Sequence, residues 1–258
     1  MSLLALDVGN TSTMVGLFDA ADLVARWRVE TRRAATSDEY AFLITGLMRM
    51  VDRPASDVQA CVLSCVVPPL LPRLEEMVQT AFGCEAFTIR PAELGIPIEY
   101  HPPTAVGSDR VANAVAAAEL YSLPAVIVDF GTTTTVDVVS ESGAYLGGAI
   151  APGIEASVAA MYANTARLPR VDIRPPAAAI GRSTEESIRS GVVFGFAAQV
   201  DGLVRRCAAE LAARPVVIAT GGQARLIATV SETIQHIDET LTLHGMRLLY
   251  DRHSPPTG

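Results

Sequence analysis

The amino-acid sequence predicts an α/β fold of two similar halves. Three observations carry this expectation. A strand-turn-strand unit occurs twice, at an offset of 122 residues (Asp7 to Asp129). Strand-like apolar runs alternate with helical ones. The length, 258 residues, suffices for two modest domains with their own cores.

The first unit is the apolar run Leu3 to Leu6, the turn Asp7-Val8-Gly9-Asn10-Thr11, and a second strand from Met14 to Phe18. It returns as Ala125 to Val128, then Asp129-Phe130-Gly131-Thr132-Thr133-Thr134-Thr135, then Val136 to Val139. Under the shift Asp7 falls on Asp129, Gly9 on Gly131, Thr11 on Thr133 and Thr13 on Thr135. Between them the pattern predicts a helix from Ser37 to Met50, a strand from Val58 to Ser64, a break at Pro68-Pro69 and a helix around Leu70 to Phe82. After Gly107-Ser108-Asp109-Arg110, the alanine-rich stretch Val111 to Leu120 predicts a helix stopped by Pro124. The second half adds a long amphipathic helix from Glu185 to Leu211 and a strand from Val216 to Thr220. There Gly221-Gly222 opens a loop into a further helix, and His253 to Gly258 reads as a loose tail. The expected domains are residues 1–120 and 121–258.

Composition narrows the chemistry. Half of the residues are hydrophobic, yet no apolar run approaches the roughly 18 to 20 uncharged residues that span a bilayer as a helix. No membrane association is expected. The opening Met1-Ser2-Leu3-Leu4-Ala5-Leu6-Asp7 has no basic region and meets an acid early, so it does not read as a secretory signal, and a cytoplasmic location is expected. Cys61, Cys65, Cys84 and Cys207 form no C-x-x-C pair, and they read as buried thiols of a reducing compartment. A formal charge of -8 without a basic block argues against nucleic acid as a partner. All 20 basic residues are arginine. The absence of lysine removes P-loop, protein-kinase and Schiff-base mechanisms, each of which needs one.

Each Asp-x-Gly turn offers a carboxylate at a strand end, a glycine that lets backbone approach a ligand, and hydroxyls beside it. Those parts suit a phosphate chain carrying Mg2+ or another cation, and equally an ordinary β-hairpin. Two copies in register favour the nucleotide. Ser108 or Asp109 can cap the helix that follows. Alternatively Asp109 is a general base on a hydroxyl, with Arg110 holding an anionic substrate. Ser183-Thr184-Glu185-Glu186 matches a capping box between Ser183 and Glu186 that leaves Thr184 free. Gly191 and Gly195, four apart, permit close approach of another helix, from this chain or from a second subunit. Thr220-Gly221-Gly222 could receive an adenine ring or be a plain loop. The four histidines are scattered and carry no assigned role. Trp27, Phe194 and Phe196 read as core or interface residues.

Taken together, the motifs resemble those of type III pantothenate kinase. The resemblance covers most of the chain. It runs through Asp7-Val8-Gly9-Asn10-Thr11, Tyr100 ahead of Gly107-Ser108-Asp109-Arg110, and Asp129-Phe130-Gly131-Thr132-Thr133-Thr134-Thr135. It continues through Gly147-Gly148-Ala149-Ile150-Ala151-Pro152-Gly153, Gly181-Arg182-Ser183-Thr184 and Thr220-Gly221-Gly222. The resemblance implies an actin-like fold of two RNase H-like domains with ATP in the cleft, and phosphorylation of pantothenate to 4'-phosphopantothenate, the first step of coenzyme A synthesis. It implies ATP contacts from Asp7, Val8, Gly9, Asn10, Thr11, Ser12, Thr13, Met14 and Thr132. Asp129 would bind a monovalent cation, K+ or NH4+. Tyr100, Gly107, Ser108, Asp109 and Arg110 would hold pantothenate, with Asp109 the base. Thr184 would complete the substrate site across a homodimer interface. Thr133 stands where the family often has alanine, and Ser108 occupies a variable place. A non-catalytic regulatory relative, and the same fold acting on a sugar or short-chain acid, are the alternatives.

Overall fold

A computed structural model describes residues 2–94, 96–165 and 168–253. Strands Ser2–Val8 (β1), Ser12–Asp19 (β2), Asp22–Glu30 (β3), Val58–Cys65 (β4) and Ala86–Thr88 (β5) form one sheet, ordered β3-β2-β1-β4-β5. The β1-β2-β3 part is antiparallel, and β4 and β5 lie parallel to β1. Strands Ala125–Phe130 (β6), Thr133–Val139 (β7), Tyr145–Pro152 (β8), Val216–Gly221 (β9) and His236–Ile237 (β10) form a second sheet, ordered β10-β9-β6-β7-β8. Its strand directions are the same. The chain is therefore α/β with a duplicated topology, as the repeat implies.

Parallel neighbours need a long crossover, and helices supply it. In the first half Ser37–Arg49 (α1) starts at Thr36, whose side chain and that of Glu39 form the reciprocal capping box. Leu71–Phe82 (α2) ends at Gly83 in the left-handed region. Tyr40, Ile44, Met48, Leu74 and Met77 from these helices bury Leu4, Leu6, Val15 and Leu17 of the sheet. In the second half Ile154–Ala163 (α4), Thr184–Ala209 (α5) and Ala224–Ala228 (α6) bury Val126, Val128, Phe130, Val136 and Val138. Two further helices are Ser108–Leu120 (α3) and Leu241–His253 (α7). The chain falls into two compact units, one of Met1–Ile96, His101–Ala116 and Thr242–Gly258, the other of Pro97–Tyr100 and Ala117–Leu241. Helix α7 from Thr242 onward thus groups with the N-terminal half. Residues 254–258 of the expected tail lie outside the described residues, and His253 closes α7. Among the described residues no helix is long and apolar enough to cross a membrane.

The repeat differs in one detail from its sequence alignment. Asp7 faces Met14 across β1 and β2, whereas Asp129 faces Thr135 across β6 and β7. The second turn is one residue shorter, so Thr13, opposite Val8, corresponds to Thr134, opposite Phe130, and not to Thr135. Buried thiols are also fewer than expected. Cys61 is fully buried, but Cys65, Cys84 and Cys207 are only partly so, and all four are free. Cys84 lies with its Sγ 3.8 Å from that of Cys61. The hydrogen bond between them lowers the Cys84 thiol to about 7 and, together with burial, pushes Cys61 up.

One buried carboxylate ties α5 to the loop after α6. Asp201 Oδ1 accepts from Ser231 Oγ and Thr233 Oγ1, both at 2.6 Å, and its Oδ2 accepts from the Glu232 N–H at 2.9 Å. Burial alone would raise its pKa, but the combined hydrogen bonds outweigh it and hold the carboxyl below its ordinary value. Replacing it by alanine strands buried donors, and Asp201→Ala should cost about 2–4 kcal/mol in urea unfolding at pH 7. Because the folded-state value is depressed, that difference should be present above the unfolded carboxylate value of about 4 and shrink as pH falls through the folded value below it. An equal cost at pH 7 and pH 3 would contradict the ionised role.

Candidate active site

In the first unit, apolar β1 delivers Asp7 to the end of its strand, beside Ser64 on parallel β4. Ser64 Oγ donates to Asp7 Oδ1 at 2.8 Å and lies 3.0 Å from Ser108 Oγ. With the Ser64 proton committed to Asp7, Ser108 must donate to Ser64. Ser108 therefore commits its hydroxyl to this relay instead of to a cap, and Ser64 and Ser108 are both buried. The relay joins the first Asp turn to the Gly107-to-Arg110 motif. Sequence reasoning missed Ser64. Its signal is a lone hydroxyl after the apolar run Ala60 to Leu63, at the level of Asp7.

The first turn closes through the Gly9 N–H on Ser12 O at 3.1 Å. Its tip, Asn10 and Thr11, is exposed. Arg33 donates to Asn10 Oδ1 at 2.8 Å, the Thr31 N–H bonds Thr11 O at 2.9 Å, and Thr13 and Thr31 pair their hydroxyls at 2.9 Å. Val8 is buried, and Ser12 and Met14 are half-buried. Downstream, the Val111 N–H bonds the carbonyl of Gly107, the residue just before α3, and Asp109 lies in the first turn. Asp109 Oδ1 accepts from the Arg110 N–H at 2.8 Å. A Cβ on Gly107 would collide with Asp109 Oδ1. Asp109 is half-buried and Arg110 is buried at 8% exposure, a depth at which arginine is ordinarily paired.

In the second unit Asp129 is the penultimate residue of β6, opposite Thr220 on parallel β9. The Gly131 N–H bonds Thr133 O at 3.1 Å with Thr132 alone between them, and all three residues are exposed. Gly221, at φ 87°, lies against the carboxylate. A Cβ there would sit 2.5 Å from Asp129 Oδ1 and 2.6 Å from Phe130 O. This explains Thr220-Gly221-Gly222: the first glycine makes room for Asp129 and its neighbouring carbonyl. Thr134 Oγ1 is buried with no hydrogen-bond partner. Among the described residues no three His, Cys, Asp or Glu side chains cluster as metal ligands. One carboxylate with backbone oxygens is a donor set for a hard, weakly bound cation rather than a transition metal.

Tyr100 belongs to the second unit, and its ring packs edge-on to Tyr145 with centroids 6.3 Å apart. Thr184 is the first residue of α5 and is exposed. Ser183 accepts from the Glu186 N–H as expected, but the Glu186 carboxylate takes the Arg182 N–H instead of that of Ser183. The box is thus half-formed. Thr184 lines a groove of about 400 Å³ between α4 and α5, with Val158, Met161, Ile188 and Val192. Among the described residues no atom lies within 4 Å of a Cβ built on Gly191 or Gly195. Packing among the described residues therefore does not account for those glycines.

The fold and its two Asp turns define a class. Solved structures sharing the architecture include a conserved Baf family transcriptional activator from Campylobacter jejuni (18% identity, 96% and 97% of the two chains, TM-score 0.63). Another is the activator of the 2-hydroxyisocaproyl-CoA dehydratase from Clostridium difficile with bound ADPNP (13%, 98% and 96%, TM-score 0.57). These likenesses establish the duplicated, actin-like α/β fold. The family is set by sequence. The family model for type III pantothenate kinase matches residues 3–206. The type III pantothenate kinase of Desulfatibacillum aliphaticivorans is 45% identical over 254 residues, 98% of this chain and 99% of that one. That of Halalkalibacterium halodurans is 44% identical over 252 residues, 97% and 99%. The chain belongs to the type III pantothenate kinase family.

The two glycines beside Asp129 differ in what they tolerate. Gly221→Ala introduces a Cβ at positive φ into two oxygens and should lower stability by about 2 kcal/mol or more. At Gly131 the nearest atom to a Cβ is 3.5 Å away, so Gly131→Ala should cost less than about 1 kcal/mol. Thermal melts of the pair check the ranking, and equal losses would contradict the crowding at Asp129.

Proposed function

We propose that this chain transfers the γ-phosphoryl group of ATP to the primary hydroxyl of pantothenate, giving 4'-phosphopantothenate and ADP, the first step of coenzyme A synthesis. The observation that carries it is full-length similarity to type III pantothenate kinases at 43–47% identity, together with Asp109 held at the start of α3. The hydroxyl oxygen attacks the γ-phosphorus and the bond to the β,γ-bridging oxygen breaks. The hydroxyl proton passes to Asp109. The transition state is loose, so a carboxylate of ordinary basicity suffices to orient the nucleophile. Arg110 supplies positive charge for the pantothenate carboxylate, with Tyr100, Gly107 and Ser108 as the other acceptor-binding residues. Asp7 to Met14 and Thr132 offer amides and hydroxyls to the phosphates.

In a chain without lysine, phosphate charge falls to metal, amides and arginine. Mg2+ on the nucleotide would neutralise developing charge, and a monovalent cation, K+ or NH4+, would be held by Asp129. The oxygen-lined cradle at Gly221 supports that assignment. Two copies of the chain would form a homodimer along α5, bringing Thr184 to the substrate site. The open faces of Gly191 and Gly195 support this. A cytoplasmic location follows from the metabolic role.

Purified protein with ATP, Mg2+, K+ and pantothenate should yield the phosphorylated product by mass spectrometry, and should yield less when Na+ replaces K+. Asp109→Asn should lower kcat by about 10²–10⁴-fold while leaving ATP binding nearly intact. A folded wild-type dimer that makes no product would end the proposal.

A further inference from the structure

We infer that Asp137 and Tyr145 are a positioning pair that sets Tyr100 in the acceptor site, resting on the acceptor role proposed above for Tyr100. Both are completely buried, Asp137 on β7 and Tyr145 at the start of β8. Tyr145 Oη donates to Asp137 Oδ1 at 2.7 Å, and Thr135 Oγ1 donates to Oδ2 at 2.8 Å. Burying a carboxyl group in a strand interior is unfavourable and is tolerated only with such partners. Its presence calls for a reason.

The sheet register shows how the pair is made. Val138 faces Gly147 and Val139 faces Tyr145, so a bulge at Leu146 interrupts β8. Without it Leu146 would stand opposite Val139 and Tyr145 would turn to the other face. The bulge puts the Tyr145 ring on the side of Asp137, and Gly148, directly opposite Asp137, has no side chain to block it.

What Tyr145 then holds is the segment Pro97–Tyr100. The Tyr145 N–H bonds Pro97 O at 2.9 Å, the Glu99 N–H bonds Tyr145 O at 2.8 Å, and Ile98 forms an isolated parallel bridge to Tyr145. This residue alone pairs the segment to the outer edge of β8 among the described residues. One position further on, the Tyr100 ring lies against the Tyr145 ring and over Gly147, where a Cβ would come within 3.1 Å of it. Tyr100 is thus located by Tyr145 twice, through the backbone and through the ring. Asp137 fixes Tyr145 in turn.

The test uses full-length enzyme. Tyr145→Phe removes one oxygen and keeps the ring and backbone. It should raise the KM for pantothenate about tenfold and leave the KM for ATP within about twofold. Asp137→Asn should do the same, and where it fails to fold Tyr145→Phe carries the test. In a Tyr100→Ala background the added Tyr145→Phe should raise the pantothenate KM no further, because positioning acts only through Tyr100. Hydrogen exchange at the Glu99 amide, read without substrate, should quicken in Tyr145→Phe. Unchanged exchange, or a KM effect that persists without the Tyr100 ring, overturns the pairing. A wild-type enzyme inert toward pantothenate would instead defeat the acceptor role, while the exchange measurement still decides whether Tyr145 holds the segment.

Discussion

A carboxylate at the C-terminal end of the first strand of each sheet must be restrained by the parallel strand beside it and yet keep access to a ligand. The two halves meet this constraint differently. Asp7 is restrained by a hydroxyl, Ser64, which passes the connection on to Ser108 and so to the start of α3. Asp129 is restrained by space: Gly221 brings backbone against its Oδ1. The first arrangement links the first Asp turn to the motif containing Asp109, so a shift in one is felt by the other. The second gathers oxygens around one point.

The difference in turn length has the same logic. With Asn10 and Thr11 between Gly9 and Ser12, the first turn projects two exposed residues braced by Arg33 and Thr31. The second has Thr132 alone between Gly131 and Thr133, with all three exposed. Four residues separate Val8 from Thr13, and three separate Phe130 from Thr134. A duplicated fold thus acquires unlike loops without changing strand order, since a hairpin of either length joins the same antiparallel pair.

Much of this was legible in the sequence, because it rests on local patterns. The apolar strands ending in Asp7 and Asp129, the helices after Ser37 and Glu185, and the break at Pro68 depend on periodicity and turn chemistry. Strands β3 and β8 were not anticipated. β3 alternates half-buried residues with exposed ones such as Arg26, Arg28 and Glu30, so its apolar signal is diluted, and β8 is rich in glycine. Ser64 was missed because its role comes from a neighbour 57 residues away. The grouping of α7 with the first half is likewise a long-range fact: Thr242 bonds Asn113 at 2.7 Å, and no local signal encodes that partner. The one-residue difference between the turns was hidden by the run of threonines, which aligns equally well in either register.

The same register comparison bears on why Asp137 is where it is. Ala5 faces Gly16 in the first sheet and Ile127 faces Asp137 in the second, so Gly16 and Asp137 are equivalent positions. At Gly16 the surroundings are the apolar side chains of Leu23 and Leu243. The fold therefore stands without a carboxyl group at this place, and the one in the second half cannot be ascribed to a requirement of the sheet. The halves also differ at the adjoining edge: β8 carries the Pro97–Tyr100 segment, whereas β3 ends its sheet with no further strand among the described residues. The buried polar group and the added segment occur in the same half and meet at one residue, Tyr145. A fold that tolerates glycine at this site but keeps aspartate, bonded to the residue that anchors Tyr100, has given up stability to place that side chain.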